Sequence, residues 1–158
     1  MLRKTLNEDE TMHFANILVG SDGTSLMESV FDECAYLAQL TGATVHVAYV
    51  LDMTGFGAQP VDASWEETYL ILKSEARRIL DAAREALIKR GVAEATIVDV
   101  LLEGHPAEEL DVYARSHAID LIVVGTHGRK GLDRLLIGSV TDKTIRTASI
   151  PVMVVHGA

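Results

Sequence analysis

The sequence predicts an α/β fold in which a doubly wound sheet of five parallel strands carries helices on both faces. Five short apolar segments rich in β-branched residues alternate along the chain with segments whose apolar residues recur every three or four positions. Glycine, proline, serine or aspartate residues lie at the changes between the two patterns and favour turns there. Because strands that are separated by helices run parallel with right-handed crossovers, this alternation predicts one doubly wound sheet.

Length, charge and cysteine content restrict the class of protein. The 158 residues fit one domain, predicted at residues 14–158 after a polar leader at 1–13. The net charge is −9 and no basic run of five or more residues occurs, so neither nucleic acid nor an anionic membrane is an expected partner. The leader lacks the apolar part of a secretory signal, and no apolar run reaches the roughly 20 residues of a membrane span. These features favour a cytoplasmic location.

The five predicted strands are short apolar segments bounded by turn residues. The first ends at Gly20-Ser21-Asp22-Gly23, which has the composition of a turn at the carboxyl end of a strand. The fourth is an almost unbroken apolar run, as expected for a central strand covered on both faces. In chain order, the strands are predicted at residues 14–19, 44–51, 95–102, 119–124 and 151–155.

The predicted helices fill the intervals between the strands. Thr24 or Ser25 is expected to cap the first helix, and Gly42 is expected to end it in the left-handed conformation. Cys34 lies on the apolar stripe of that helix and is expected to be a core residue. Pro106 suits the first turn of the third helix. The predicted helices cover residues 24–41, 64–91, a short segment from 106, and 139–148, while residues 52–63 predict a long loop.

Two loops are expected to meet at the carboxyl edge of the sheet, where open α/β sheets bind ligands. One is Gly20-Ser21-Asp22 after the first strand. The other follows the fourth strand and contains Gly125 and Gly128, with Gly138-Ser139 at the start of the last helix. Glycines let the backbone turn sharply and approach a ligand, and the amides at a helix N-terminus favour phosphate. The pattern therefore predicts a phosphate-binding loop.

Neighbouring side chains strengthen this prediction. Thr141 adds a short hydroxyl donor, and Arg129 and Lys130 can neutralise further phosphate charge. The Gly-x-x-x-x-Gly-Lys-Ser/Thr motif does not occur in the sequence, which excludes a Walker-type nucleotide hydrolase.

The spacing Gly125-x2-Gly128-x9-Gly138-Ser139, after the apolar strand at residues 120–124, resembles the motif of the ATP-binding universal stress proteins. Similar segments are residues 16–19 leading to Asp22-Gly23, and residues 149–155. The resemblance covers the chain from about residue 14 to 156. It implies a Rossmann-like mononucleotide-binding fold with the sheet order 3-2-1-4-5 and ATP at the carboxyl edge.

The resemblance also implies roles for individual residues. Asp22 would contact the adenosine, while Val50 and Val124 would border the adenine; the glycine motif would surround the phosphates. The complete set of predicted ATP-binding residues is Gly20, Ser21, Asp22, Val50, Val124, Gly125, His127, Gly128, Arg129, Gly138, Ser139, Val140 and Thr141.

The expected ligand is ATP, with ADP or AMP as alternatives and Mg²⁺ carried by the nucleotide. No metal ligand of the protein is predicted, although Asp52 at the end of the second strand is an alternative holder of Mg²⁺ through water. Family members tend to dimerise through the last strand, and residues 151–155 form an apolar edge strand without a protecting charge. A homodimer through this strand is therefore expected.

The predicted function is that of an ATP-binding regulator in a stress response, with the nucleotide as a switch or a structural ligand. The alternatives are a weak ATPase, an autokinase or a nucleotidyl transferase of related fold, and a docking module that binds a protein partner without nucleotide. No catalytic residue is predicted, because no carboxylate or histidine is clearly placed as a base. His127 remains open between a phosphate contact and a solvated loop residue. Trp65 and Tyr69 are expected to pack the second helix and not to stack on adenine.

Overall fold

The computed structural model describes residues 14–54, 63–126 and 137–156. Its elements are β1 (Asn16–Gly20), α1 (Met27–Thr41), β2 (Thr44–Asp52), α2 (Ala63–Lys89), β3 (Ile97–Gly104), α3 (Pro106–Ser116), β4 (Leu121–Gly125), α4 (Ser139–Thr147) and β5 (Val152–Val155). A short 3-10 turn, Glu94–Thr96, precedes β3. The five strands form one parallel sheet in the order β3-β2-β1-β4-β5. The predicted fold class and strand order are confirmed.

Strand β1 lies in the middle of the sheet. Leu18 pairs with His46 of β2 on one side and with Ile122 of β4 on the other. The chain moves outward through β2 and β3, then returns to β4 and β5, so the winding reverses between β1 and β4. A crevice for a ligand forms at such a reversal, at the carboxyl ends of the strands.

The helices cover both faces of the sheet. Successive residues of β1 point to opposite faces, as a strand requires. Val19 packs on the face that carries α1 and α2, where Phe31 and Leu80 are buried. Leu18 packs on the other face against Leu110 of α3, and α4 contacts α3 and β5.

The start of α1 differs from the prediction. The helix begins at Met27, and its N-cap residue, Leu26, makes no side-chain capping bond. The Thr24 hydroxyl donates instead to the Asp22 carboxylate at 2.8 Å, and the backbone carbonyls of Thr24 and Ser25 accept from the first amides of the helix. The predicted cap at Thr24 or Ser25 is wrong because the N-cap position falls on Leu26; the Thr24 hydroxyl is taken by Asp22, in an Asx turn.

Other local predictions agree with the structure. Gly42 ends α1 with a φ of +72°, and Pro106 lies in the first turn of α3. Cys34 is fully buried in the core. Across the described ranges, no helix combines the length and the apolar character that a membrane span requires. The leader at 1–13 and most of the loop at 52–63 lie outside the described residues, so the assignment of residues 14–158 to one domain stays a prediction.

Candidate functional site

The carboxyl ends of β1 and β4 lie side by side. Residues 17–19 pair with residues 121–123, and the Ser21 amide donates to the Ala48 carbonyl of β2 at 2.8 Å. A Cβ added to Gly20 would lie 3.5 Å from a methyl carbon of Val124 and 3.3 Å from one of Leu110. Gly20 therefore sits directly against Val124 and the α3 side chain, where a larger residue would be crowded.

Asp22 is held in a defined turn after β1. Its Oδ1 accepts hydrogen bonds from the Thr24 amide at 2.9 Å and from the Thr24 hydroxyl at 2.8 Å. The Ser21 hydroxyl accepts a longer bond from the Gly23 amide, at 3.4 Å. Gly23 has a φ of +76°, and a Cβ there would lie 2.8 Å from the side chain of Ile79 in α2. This turn therefore requires glycine and presents a half-buried carboxylate at the sheet edge.

The end of β4 is tied to the start of α4. The Thr126 amide donates to the Val155 carbonyl of β5 at 2.9 Å, and the Gly138 amide donates to the Thr126 carbonyl at 2.7 Å. The Thr141 hydroxyl donates to the Gly125 carbonyl at 2.6 Å. The bonds of Gly138 and Thr141 hold the first turn of α4 against the carboxyl end of β4, and the bond to Val155 ties β4 to β5.

The first turn of α4 brings amide groups to this edge. Gly138 is the N-cap residue and has no side-chain cap, and its carbonyl accepts from the Asp142 amide at 2.9 Å. The amides of Ser139, Val140 and Thr141 thus belong to the turn that precedes the first helical hydrogen bond. Such amides, together with the positive end of the helix dipole, attract anions. Ser139 and Val140 are exposed, whereas Thr141 is buried.

Charged side chains of α4 form two ion pairs. Lys143 of α4 binds Glu108 of α3 at 2.6 Å, and this hydrogen bond lowers the pKa of Glu108. Arg146 binds Asp142 at 3.0 Å. Both pairs are exposed to solvent and add little to the stability of the fold; the first links α4 to α3, whereas the second lies within α4.

Tyr69 of α2 contacts β3, and Trp65 stacks on Tyr69. The Tyr69 hydroxyl donates to Glu103 at 2.7 Å, and the rings of Trp65 and Tyr69 stack with their centroids 6.4 Å apart. Asp52, at the end of β2, is exposed and accepts the Thr54 amide at 2.9 Å. In the described part of the chain, no three His, Cys, Asp or Glu side chains are grouped in a way that could hold a metal ion.

The structure brings most of the predicted site residues together. Val50 is half-buried near the end of β2, on the α3 face. The others that the structure describes lie at the ends of β1 and β4 and at the start of α4: Gly20, Ser21, Asp22, Val124, Gly125, Gly138, Ser139, Val140 and Thr141. His127, Gly128 and Arg129 lie outside the described residues, as does Lys130.

Two residues of this site were not among those predicted. Thr126, only 2% exposed, links β4 to β5 and α4 through its backbone. A Cβ at Gly20 would lie 3.3 Å from a methyl carbon of Leu110 in α3. Thr126 lies inside the glycine motif, and this position was the only feature of the sequence that could have identified it. Leu110 belongs to an ordinary apolar stripe, which carries no sign of a site.

A family model described as the universal stress protein family matches residues 13–156. The chain belongs to the universal stress protein family. Among curated relatives of this universal stress protein, MJ0531 of Methanocaldococcus jannaschii is 34% identical over 90% of this chain and 82% of its own length. YxiE of Bacillus subtilis is 29% identical over 90% of this chain and 99% of its own length.

Solved structures of other members have the same fold. The M. jannaschii protein MJ0577 superposes with a TM-score of 0.78 at 26% identity, covering 90% of this chain and 96% of its own. UspA from Lactobacillus plantarum gives 0.76 at 28% identity, covering 90% and 98%. Two more distant members were solved in complex with cAMP and, from Archaeoglobus fulgidus, with dAMP; their TM-scores are 0.66 and 0.62 at 22% and 21% identity.

Proposed function

We propose that this universal stress protein binds an adenine mononucleotide, with ATP as the first candidate and ADP or AMP as alternatives. The observation that carries the proposal is the attachment of Gly138 and Thr141 to the end of β4, at 2.7 and 2.6 Å. This attachment sets the amides of a helix N-terminus at the edge where β1 also ends, and phosphate favours such amides. The family members in complex with cAMP and dAMP support an adenine nucleotide as the ligand.

The residues divide between the parts of the nucleotide. The Asp22 carboxylate is an acceptor for hydroxyl or amino hydrogens of the adenosine, and its turn already orients it. Val50 and Val124 offer apolar contact to the base. The α4 amides bind the phosphates, together with His127, Gly128 and Arg129, and Mg²⁺ arrives with the nucleotide to offset phosphate charge.

We propose that the same site binds ATP without hydrolysing it or transferring its phosphate. The groups that carry the site are backbone amides, small residues and one carboxylate that accepts two hydrogen bonds from Thr24. Slow hydrolysis or autophosphorylation is the second candidate function. Phosphate release at more than a very slow background rate, lost in Asp22→Ala, would favour that candidate.

A role for the nucleotide as a switch or structural ligand in a stress response, in the cytoplasm, belongs to the same proposal and is supported by family membership. We also propose a homodimer through β5. Among the described strands β5 pairs with β4 alone, and Val152, Met153 and Val154 are only half-buried. Ile145 of α4 is 45% exposed and adds apolar surface.

Isothermal titration calorimetry with ATP, ADP and AMP in the presence of Mg²⁺ tests the nucleotide proposal. Saturable binding is expected, accompanied by a rise in melting temperature, since a ligand that binds only the folded state stabilises it. Absence of binding by all three nucleotides would contradict the proposal.

A further inference from the structure

One peptide group at the end of β4 is held at both of its polar atoms. Its carbonyl, from Gly125, accepts the Thr141 hydroxyl at 2.6 Å. Its N–H, from Thr126, donates to the Val155 carbonyl of β5 at 2.9 Å. The Gly125–Thr126 peptide therefore joins α4, β4 and β5, and its orientation depends on partners from two other elements.

The hydrogen count of Thr141 limits what its hydroxyl can do. A hydroxyl has one hydrogen, and a carbonyl oxygen can only accept. The hydrogen of the Thr141 hydroxyl is therefore committed to Gly125 as long as the 2.6 Å bond is present. The side chain is also buried, at 5% exposed. In this arrangement Thr141 cannot donate to a phosphate oxygen, which is the role that the sequence suggests for its hydroxyl.

We propose that the Thr141 side chain is a positioning residue of the site and acts through the Gly125–Thr126 peptide. This inference rests on the proposed nucleotide binding for its effect on affinity. Gly125 lacks a Cβ, so its peptide can rotate more freely than that of other residues. The Thr141 hydroxyl restrains this rotation and keeps the first turn of α4 against β4. The backbone that faces the ligand is thus oriented before the ligand binds, which lowers the entropic cost of binding.

The chain offers a matched control one turn later in α4. Thr144 is fully buried, and its hydroxyl donates to the Val140 carbonyl at 2.8 Å. That bond lies within the helix and does not reach β4. Thr141→Val and Thr144→Val each remove one buried hydroxyl at nearly constant volume, so a general loss of stability should appear in both variants. Thr141→Ser keeps the hydroxyl and serves as the rescue variant.

The first measurement is amide hydrogen exchange by NMR without nucleotide, at a pH where each variant is folded. In Thr141→Val, exchange of the Thr126 amide is expected to be at least about tenfold faster than in Thr144→Val, because its peptide has lost one of two partners. Thr141→Ser should restore slow exchange. A Thr126 amide that exchanges equally slowly in Thr141→Val and in the unmodified protein would overturn the proposal.

The second measurement is the ATP affinity of the same variants by calorimetry. Thr141→Val is expected to weaken binding about tenfold, with Thr141→Ser and Thr144→Val within about twofold of the unmodified protein. Weaker binding without a change at the Thr126 amide would mean direct contact with the ligand and would overturn the inference. If the unmodified protein binds no nucleotide, the proposed function fails, while the exchange result still decides whether Thr141 holds the peptide.

Discussion

The Asp22 carboxylate accepts both the amide and the hydroxyl of Thr24, at 2.9 and 2.8 Å. One side chain thereby fixes the turn after β1 and places a negative charge at the carboxyl edge of the sheet. The same two bonds remove Thr24 from the capping role that its position before α1 suggests. The conformation of this turn and the proposed nucleotide binding therefore depend on the same carboxylate.

Replacement of Asp22 should reduce both the ATP affinity and the stability of the fold. Asp22→Ala is expected to weaken ATP binding by about tenfold or more and to lower the free energy of unfolding by about 1–2 kcal/mol, because two donors lose their acceptor. Calorimetry and urea unfolding measure the two effects. Asp81→Ala, at an exposed carboxylate of α2, is the control and should change neither. Normal ATP affinity in Asp22→Ala would remove Asp22 from the proposed site.

Gly23 and Gly42 form a matched pair for a test of backbone strain and packing. Both have a positive φ, +76° and +72°, but an added Cβ meets Ile79 at 2.8 Å at Gly23 and open space at Gly42. Gly42→Ala should lower the free energy of unfolding by about 1 kcal/mol through backbone strain alone. Gly23→Ala should lower it by about 1–3 kcal/mol more, because the added methyl overpacks the core. Equal losses in urea unfolding would show that Ile79 moves away without cost.

Cys34 should be chemically inert in the folded protein. Burial raises the pKa of its thiol to about 12, so the reactive thiolate is scarce at neutral pH. A thiol reagent such as Ellman's reagent is expected to react at the rate of unfolding in native buffer and at once in denaturant. Fast modification of the native protein would show that α1 opens readily from the core.

Protonation of His46 should lower the free energy of unfolding in mild acid. Its Nδ1 lies 2.9 Å from the Tyr113 hydroxyl, and the Tyr113 ring stacks on His117 at 3.8 Å. Burial is the larger of two causes that lower the pKa of His46 below 6.5, and the charge of His117 is the smaller. The unfolded chain consequently binds more protons than the folded protein. The contribution of His46 to the free energy of unfolding is complete above about pH 6.5 and is lost as the pH falls through the pKa of the folded state.

Urea unfolding between pH 7.5 and 5 measures this dependence. His46→Gln removes the titrating group and should flatten the decrease, while His156→Gln, at an exposed histidine near the end of the described chain, should leave it unchanged. The same slope in His46→Gln and in the unmodified protein would assign the pH dependence to other groups.

The proposed dimer can be tested at Val154. The carbonyls of Pro151 and Val155 accept hydrogen bonds from the β4 side, so the intervening Val152 and Val154 direct their backbone groups to the outer edge. Val154→Pro removes an outward donor and should give a monomer in light scattering, whereas Val154→Ala loses the side chain but keeps the donor and should stay dimeric. A Val154→Pro protein that is still a dimer would place the interface elsewhere.

Much of the fold could be predicted because its signals are local. Apolar periodicity and turn residues located the five strands and four α-helices that the structure describes, though not the 3-10 turn at Glu94–Thr96, and the glycine motif marked β4 and the start of α4. The cap of α1 could not be predicted in this way. Thr24 and Ser25 are both good capping residues, and whether Asp22 competes for the Thr24 hydroxyl depends on the conformation of the turn between them.

The sequence by itself determined the order of elements, and hence a parallel sheet in which the carboxyl ends of β1 and β4 lie at one edge. Only the tertiary structure decided which polar groups at that edge are already committed. Thr141 and Gly125 are 16 residues apart, and their hydrogen bond exists because α4 packs against the end of β4. A residue's type shows that it can donate a hydrogen bond, but the packing of distant segments decides which acceptor receives it.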